Sequence, residues 1–128
     1  MANNESSIKQ PGWYFRLSSF FREKFGERVY KIPLDAGFSC PNRDGTIGRE
    51  GCTYCYNPSF APFSNREEPL SINDQLRKGK KKQRKALYLA YFQSYTNTYA
   101  PVADLKKLYD TALTDPEIVG LSIATRPD

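Results

Sequence analysis

ALYLAYFQSYTNTYAPVADLKKLYDTALTDPEIVGLSIATRPD, residues 86–128, is the stretch that decides the fold. It opens on ALYLAYF (86–92), a continuous apolar run of strand length and the pattern of a strand buried on both faces. Pro101 then starts a helix with Val102, Leu105, Leu108 and Ala112 on one side. IVGLSIAT (118–125) is another buried strand, stopped by Arg126-Pro127-Asp128. Two apolar strands joined through a helix make a right-handed βαβ unit, and hence a parallel sheet.

The same alternation extends upstream. Ser71 is placed to cap a helix beginning at Ile72, with Asp74 in its first turn and a basic run near its end, both as the helix dipole prefers. Gly79 weakens that helix without having to stop it. RVYKIPL (28–34) reads as a strand that ends on entering Asp35-Ala36-Gly37. Ahead of it, Tyr14, Leu17, Phe21 and Phe25 recur at spacings of three and four, the stripe of an amphipathic helix over about 14–25 that ends at Gly26. The chain therefore divides into a polar terminus with a leading helix (1–27) and an α/β core (28–128) of three parallel strands. The third strand lacks a covering helix, and a doubly wound sheet or a barrel needs more chain. The expectation is the amino-terminal part of a longer protein; a self-sufficient three-strand domain is the competing reading.

Composition narrows the chemistry. With 0 His among 128 residues there is no Ser-His-Asp triad, no Cys-His pair and no histidine-bearing zinc site. An odd count of 3 Cys argues against a paired disulfide framework and favours a reducing, cytoplasmic setting. The first residues hold no apolar signal region, and no run reaches the length of a membrane span, so no membrane association is expected. The net charge of +5 comes from RKGKKKQRK (77–85); without its seven cations, 12 basic side chains face 14 acidic ones, a net of −2. A helix following a parallel strand runs back, which puts this run at the opposite pole of the sheet from the loop described next. A solvated helix end is the expected reading, with RNA contact as the rival.

Residues 35–69 turn to Gly, Pro, Asn, Asp, Ser and Cys with almost no periodicity, and a loop of that length in a compact domain is usually functional. It holds all three cysteines, Cys40, Cys52 and Cys55, spaced C-x11-C-x2-C, directly after the first strand, where α/β proteins place their ligand sites. Zinc would need a fourth ligand from elsewhere. A thioredoxin-like Cys52-Thr53-Tyr54-Cys55 pair leaves Cys40 unexplained. Three ordinary buried cysteines suit a polar Gly/Pro loop poorly. An iron-sulfur cluster fits best: thiolates are its normal ligands, and three of them on four irons leave one iron open. Gly37, Gly45, Gly48 and Gly51 let the backbone curl closely and aim N–H groups at sulfur.

With KFGERVYKIPLDAGFSCPNRDG (24–45), GCTYC (51–55), AYFQSYTNTYAP (90–101) and VGLSIATRPD (119–128), the chain resembles the radical S-adenosylmethionine (SAM) superfamily, and within it the YhcC/YtqA-type proteins related to the elongator catalytic subunit group. The long first gap between cysteines suits that branch. The resemblance implies the opening strands of a partial (β/α)6 TIM-like barrel. It implies that Cys40, Cys52 and Cys55 hold a 4Fe-4S cluster whose open iron binds SAM, that SAM is cleaved reductively to a 5'-deoxyadenosyl radical that takes hydrogen from a substrate, and that an electron donor such as flavodoxin or ferredoxin serves it. Tyr54 matches the residue beside the SAM adenine; Gln93 and Ser94 match the methionyl-binding strand tip, although the common Gly-Gly-Glu form is missing. Arg126 would meet the SAM carboxylate. Independent of the resemblance, Gln93 and Arg126 follow strands at the same end of the sheet as the cysteines, while packing and turn formation are the alternative roles for Tyr95, Asn97 and Tyr99. The functional rivals are a non-catalytic iron-sulfur or zinc module and an RNA-binding accessory domain. The substrate is not legible; tRNA modification is the guess the elongator relationship suggests.

Overall fold

The computed structural model describes residues 12–56, 59, 70–80 and 85–127. The polar first residues, much of the loop beyond Tyr56 and positions 81–84 of the basic run lie outside them. The order is α1 (Leu17–Phe25), β1 (Val29–Leu34), α2 (Ile72–Gly79), β2 (Leu87–Phe92), α3 (Val102–Leu113) and β3 (Ile118–Ile123). The three strands form one parallel sheet in the order β1-β2-β3, with Leu34 level with Phe92 and Phe92 level with Ile123. Tyr88 pairs with Ile118 but Leu89 with Gly120, so β3 carries one extra residue there.

Each βαβ unit follows from its sequence. The Ser71 hydroxyl accepts from the Asp74 N–H and donates to its carboxylate, closing the first turn of α2. Ile72, Gln75 and Leu76 are the residues that this helix buries. Ile32, Leu34, Tyr88, Ala90 and Phe92 project from the sheet into the same core, joined by Ala112 of α3. Each large apolar side chain among them contributes roughly 1.5–3 kcal/mol when fully buried.

The expectation of strands buried on both faces is corrected. In β2 buried and half-buried residues alternate, and in β3 only Ile118 is fully buried. The physical reason is that α2 and α3 pack on one side of the sheet. Lys31, Leu89 and Tyr91 lie on the other, where the Lys31 ammonium sits 5.2 Å from the centre of the Tyr91 ring. Nor does α1 begin at residue 14: Arg16 takes an extended N-cap conformation without a side-chain cap, and no residue of α1 is buried. Among the described residues no helix is long and apolar enough to cross a membrane.

Gly79 is the eighth and last residue of α2, and the helix there lies against β1. A Cβ on Gly79 would stand 2.3 Å from Ile32 Cγ2. Lys80 turns out of the helix, and its ammonium pairs with Asp115 at 2.7 Å and with Glu117. Burial opposes that charge, but the two acids outweigh it and hold the Lys80 pKa above its ordinary value. The pairing is therefore complete through the neutral range and lost only as pH rises through that raised value. Arg77 pairs with Asp74 at 2.5 Å and Lys85 with Glu27 at 3.3 Å. Lys80 and Lys85 are thus tied to acids that precede the strands, the pole opposite the cysteine loop. In an exposed helix Gly→Ala stabilises by about 1 kcal/mol. Gly79→Ala is expected to destabilise by roughly 1–3 kcal/mol through overpacking, read as a lower thermal midpoint, with Ile32→Ala beside it costing less than the sum of the two single changes.

Candidate functional site

The carboxyl ends of the three strands stop together, and each releases a loop toward the others. Gln93 N–H donates to Leu34 O at 3.3 Å and Ala124 N–H to Phe92 O at 2.9 Å, carrying the ladder one step past the strands. Asn97, which is 0% exposed, then ties the exits together. Its backbone N–H and its side-chain amide both donate to Ala124 O, at 3.0 and 3.2 Å, and the amide also donates to Tyr95 O at 3.3 Å. The Tyr109 hydroxyl of α3 donates to Asn97 O, while the Tyr109 ring meets Phe92 edge-on at 5.2 Å.

Gln75 does the same work at the start of the cysteine loop, and sequence reasoning missed it. Only 1% exposed, its amide accepts from Asp35 N–H at 2.8 Å and donates to Asp35 O at 2.7 Å and to Leu70 O at 2.9 Å. It stands in for a strand partner where β1 has run out. The available signal was a polar residue between Ile72 and Leu76, on the face of α2 that has to be buried.

Between Cys40 and Cys55 the chain folds on itself. Cys40 O accepts from Arg43 and Asp44 N–H at 2.8 and 3.0 Å, Asn42 O from Gly51 N–H at 2.9 Å, and Cys52 O from Cys55 N–H at 3.0 Å. Arg43 braces the result: its guanidinium donates to Cys55 O at 2.6 Å and lies 5.8 Å from the centre of the Tyr95 ring. Gly51, with φ 74°, leaves the space that Arg43 fills, since a Cβ there would meet the guanidinium carbon at 2.8 Å. The Thr46 and Tyr99 hydroxyls share a hydrogen bond of 3.1 Å, a second tie between this loop and the one after β2.

All three cysteines are free and half-buried. The Thr96 hydroxyl donates to Cys40 Sγ at 3.3 Å, and the Asn42 side-chain amide to Cys52 Sγ at 3.4 Å. Burial pushes the Cys40 thiol up, but hydrogen bonds from Thr96, the Asn42 backbone and Arg126, with the Arg126 charge, bring it below its ordinary value. Tyr54, 87% exposed, is hydrogen-bonded to Cys52. That bond and the nearby Cys52 and Cys55 charges push its hydroxyl pKa up, against the pull of Arg126. Arg126 thus acts on both Cys40 and Tyr54, which brings the three cysteines, Tyr54 and Arg126 into one neighbourhood. Among the described residues no three His, Cys, Asp or Glu side chains converge on a point suited to one metal ion.

Gln93 is half-buried at the rim of this neighbourhood. Ser94 is 0% exposed and its hydroxyl has no hydrogen-bond partner, as is true of Asn97 Oδ1. Tyr95, Asn97 and Tyr99 take the packing and turn-forming roles, against Arg43, Ala124 and Thr46 respectively.

The chain is 43% identical over 118 residues to the uncharacterized protein YtqA of Bacillus subtilis, an alignment covering 90% of this chain and 37% of that protein. Against protein YhcC of Escherichia coli K12 it is 48% identical over 106 residues, 82% of this chain and 34% of the relative. Against the uncharacterized protein MJ0486 of Methanocaldococcus jannaschii it is 38% identical over 127 residues, 94% and 38% respectively. The chain thus spans little more than a third of the length of the curated relatives it matches. No family model matches it, and neither does any solved structure.

The lowered thiol of Cys40 is measurable in the metal-free protein. Iodoacetamide reacts with the thiolate, so half-maximal alkylation of Cys40, followed by peptide mass spectrometry, is expected at a lower pH in the folded protein than in urea. Because the folded value is the lower one, the stability this supplies is present above the ordinary thiol range and lost as pH falls through the folded value. Gln75→Leu, which strips the Asp35 amide and carbonyl of partners, should lower stability by roughly 1–3 kcal/mol in denaturant melts.

Proposed function

We propose that this chain is the cofactor-binding part of a radical SAM enzyme, with Cys40, Cys52 and Cys55 holding a 4Fe-4S cluster. The observation that carries the reading is the placing of three free thiols in one loop at the carboxyl edge of a parallel sheet, two of them already receiving side-chain hydrogen bonds at sulfur. Such outer donors are the usual support of cluster thiolates. When bound, a cluster with an open iron supplies one electron to SAM, breaking a carbon–sulfur bond to give methionine and a 5'-deoxyadenosyl radical.

The chain's own residues supply orientation. The Tyr54 ring, exposed between Cys52 and Cys55, offers an apolar face to the adenine of SAM. Arg126 was expected at the SAM carboxylate; it lies by Cys40 on the cysteine face, where its guanidinium would be available to a carboxylate bound there. Gln93 stands at the β2 tip for the methionyl end. Ser94, closed off from solvent, reaches a ligand only through its neighbours. The half-buried second face of the sheet and the edge of β3, unpaired among the described residues, support continuation into a partial (β/α)6 barrel, in which the substrate would be met by later strand tips. A flavodoxin or ferredoxin is the electron donor this chemistry calls for. In the described part of the basic run Arg77, Lys80 and Lys85 meet acids, so these three cations give an RNA-binding reading little support.

Anaerobic reconstitution tests the proposal. The expected product binds about four irons per chain, absorbs in the thiolate-to-iron region and cleaves SAM after dithionite; Cys52→Ala should lower iron to background. One firmly held zinc per chain and no iron would overturn it.

A further inference from the structure

Tyr95 is the one non-glycine residue with a positive φ, 62°, among the described residues. An aromatic residue adopts that conformation only when its surroundings demand it, and such strain collects at functional positions. What it achieves is visible in the next residue. Thr96 is brought back against the cysteine loop, its N–H donating to Ser39 O at 3.3 Å and its hydroxyl to Cys40 Sγ at 3.3 Å. Thr96 is 6% exposed, so that bond is shielded from water. The turn is held on both sides: the Tyr95 ring lies against Arg43, and Tyr95 O accepts from the Asn97 amide at 3.3 Å.

We propose that Thr96, aimed by the left-handed turn at Tyr95, is a positioning and tuning residue for Cys40, setting the electron density on that sulfur when it serves as a cluster ligand. The proposal rests on the reading of Cys40, Cys52 and Cys55 as cluster ligands. Its physics is general: a donor to a thiolate sulfur stabilises the more negatively charged, reduced cluster and raises its reduction potential. The Cβ-branched shape of Thr96 is reproduced by Val without the hydroxyl, and the hydroxyl by Ser without the methyl, so the two effects separate.

The test is a potentiometric titration of the anaerobically reconstituted protein with dithionite and mediators, followed by electron paramagnetic resonance, with iron content measured on each sample. Thr96→Val should hold the wild-type iron content at a lower midpoint potential, while Thr96→Ser keeps the wild-type potential. Should Val fail to load and Ser load with the wild-type potential, the hydroxyl is still the required group and the proposal stands. An unshifted potential in Thr96→Val, a Ser variant shifted as far as Val, or failure of both to load would overturn it. Tyr95→Asn, which accepts left-handed backbone, should leave the potential unchanged; a shift as large as that of Thr96→Val would overturn the backbone role given to Tyr95. A wild-type protein that takes up no iron overturns the cluster reading itself, an outcome distinct from all of these.

Discussion

Three strands that end at one level need a device to hold their exits together, and Asn97 is that device. From a position closed to water it reaches the exit of β3 through Ala124, the exit of β2 through Tyr95, and α3 through Tyr109. The loop after β2 and the exit of β3 inherit their positions from this knot. Thr96 precedes Asn97 by one residue and Arg126 follows Ala124 by two, so the two side chains that act on Cys40 are set by the same few hydrogen bonds. The arrangement leaves Asn97 Oδ1 buried without a donor, a cost of about 1–3 kcal/mol that the remaining bonds must offset.

Charge is segregated along the strand axis. At the amino ends, Lys80 and Lys85 meet Asp115, Glu117 and Glu27. At the carboxyl ends, Arg43 and Arg126 face sulfur and carbonyl oxygen. The overall charge of +5 describes neither pole. At the first pole these two lysines are met by acids; the other keeps its arginines for groups that become negative when thiols lose their protons.

Much of the fold was legible because the signals were local. Ser71 and Asp74 announced the start of α2, Pro101 that of α3, and apolar runs marked β2 and β3. The cysteines, their loop and its place after β1 were equally plain. What stayed hidden depends on distant chain. Gly79 looks like a weak helix residue until Ile32 is found against it. Gln75 looks like a surface amide until β1 ends beside it. Two-sided burial of β2 was read from an apolar run whose composition cannot report that both helices pack on one face. The left-handed turn at Tyr95 has no sequence signature either, because glycine or asparagine would ordinarily stand there.

The cysteine loop is fastened to itself more locally than to the sheet, and this bears on the order in which the site comes together. The bond from Arg43 to Cys55 closes a span of 12 residues, whereas that from Thr96 to Cys40 closes 56. In loop-closure entropy the longer span costs about 1.4 kcal/mol more. On a growing chain residues 40–55 are also made well before residue 96. The turn bearing Cys52 and Cys55 is therefore a unit that can form during synthesis, and the sulfur that waits for the sheet is Cys40.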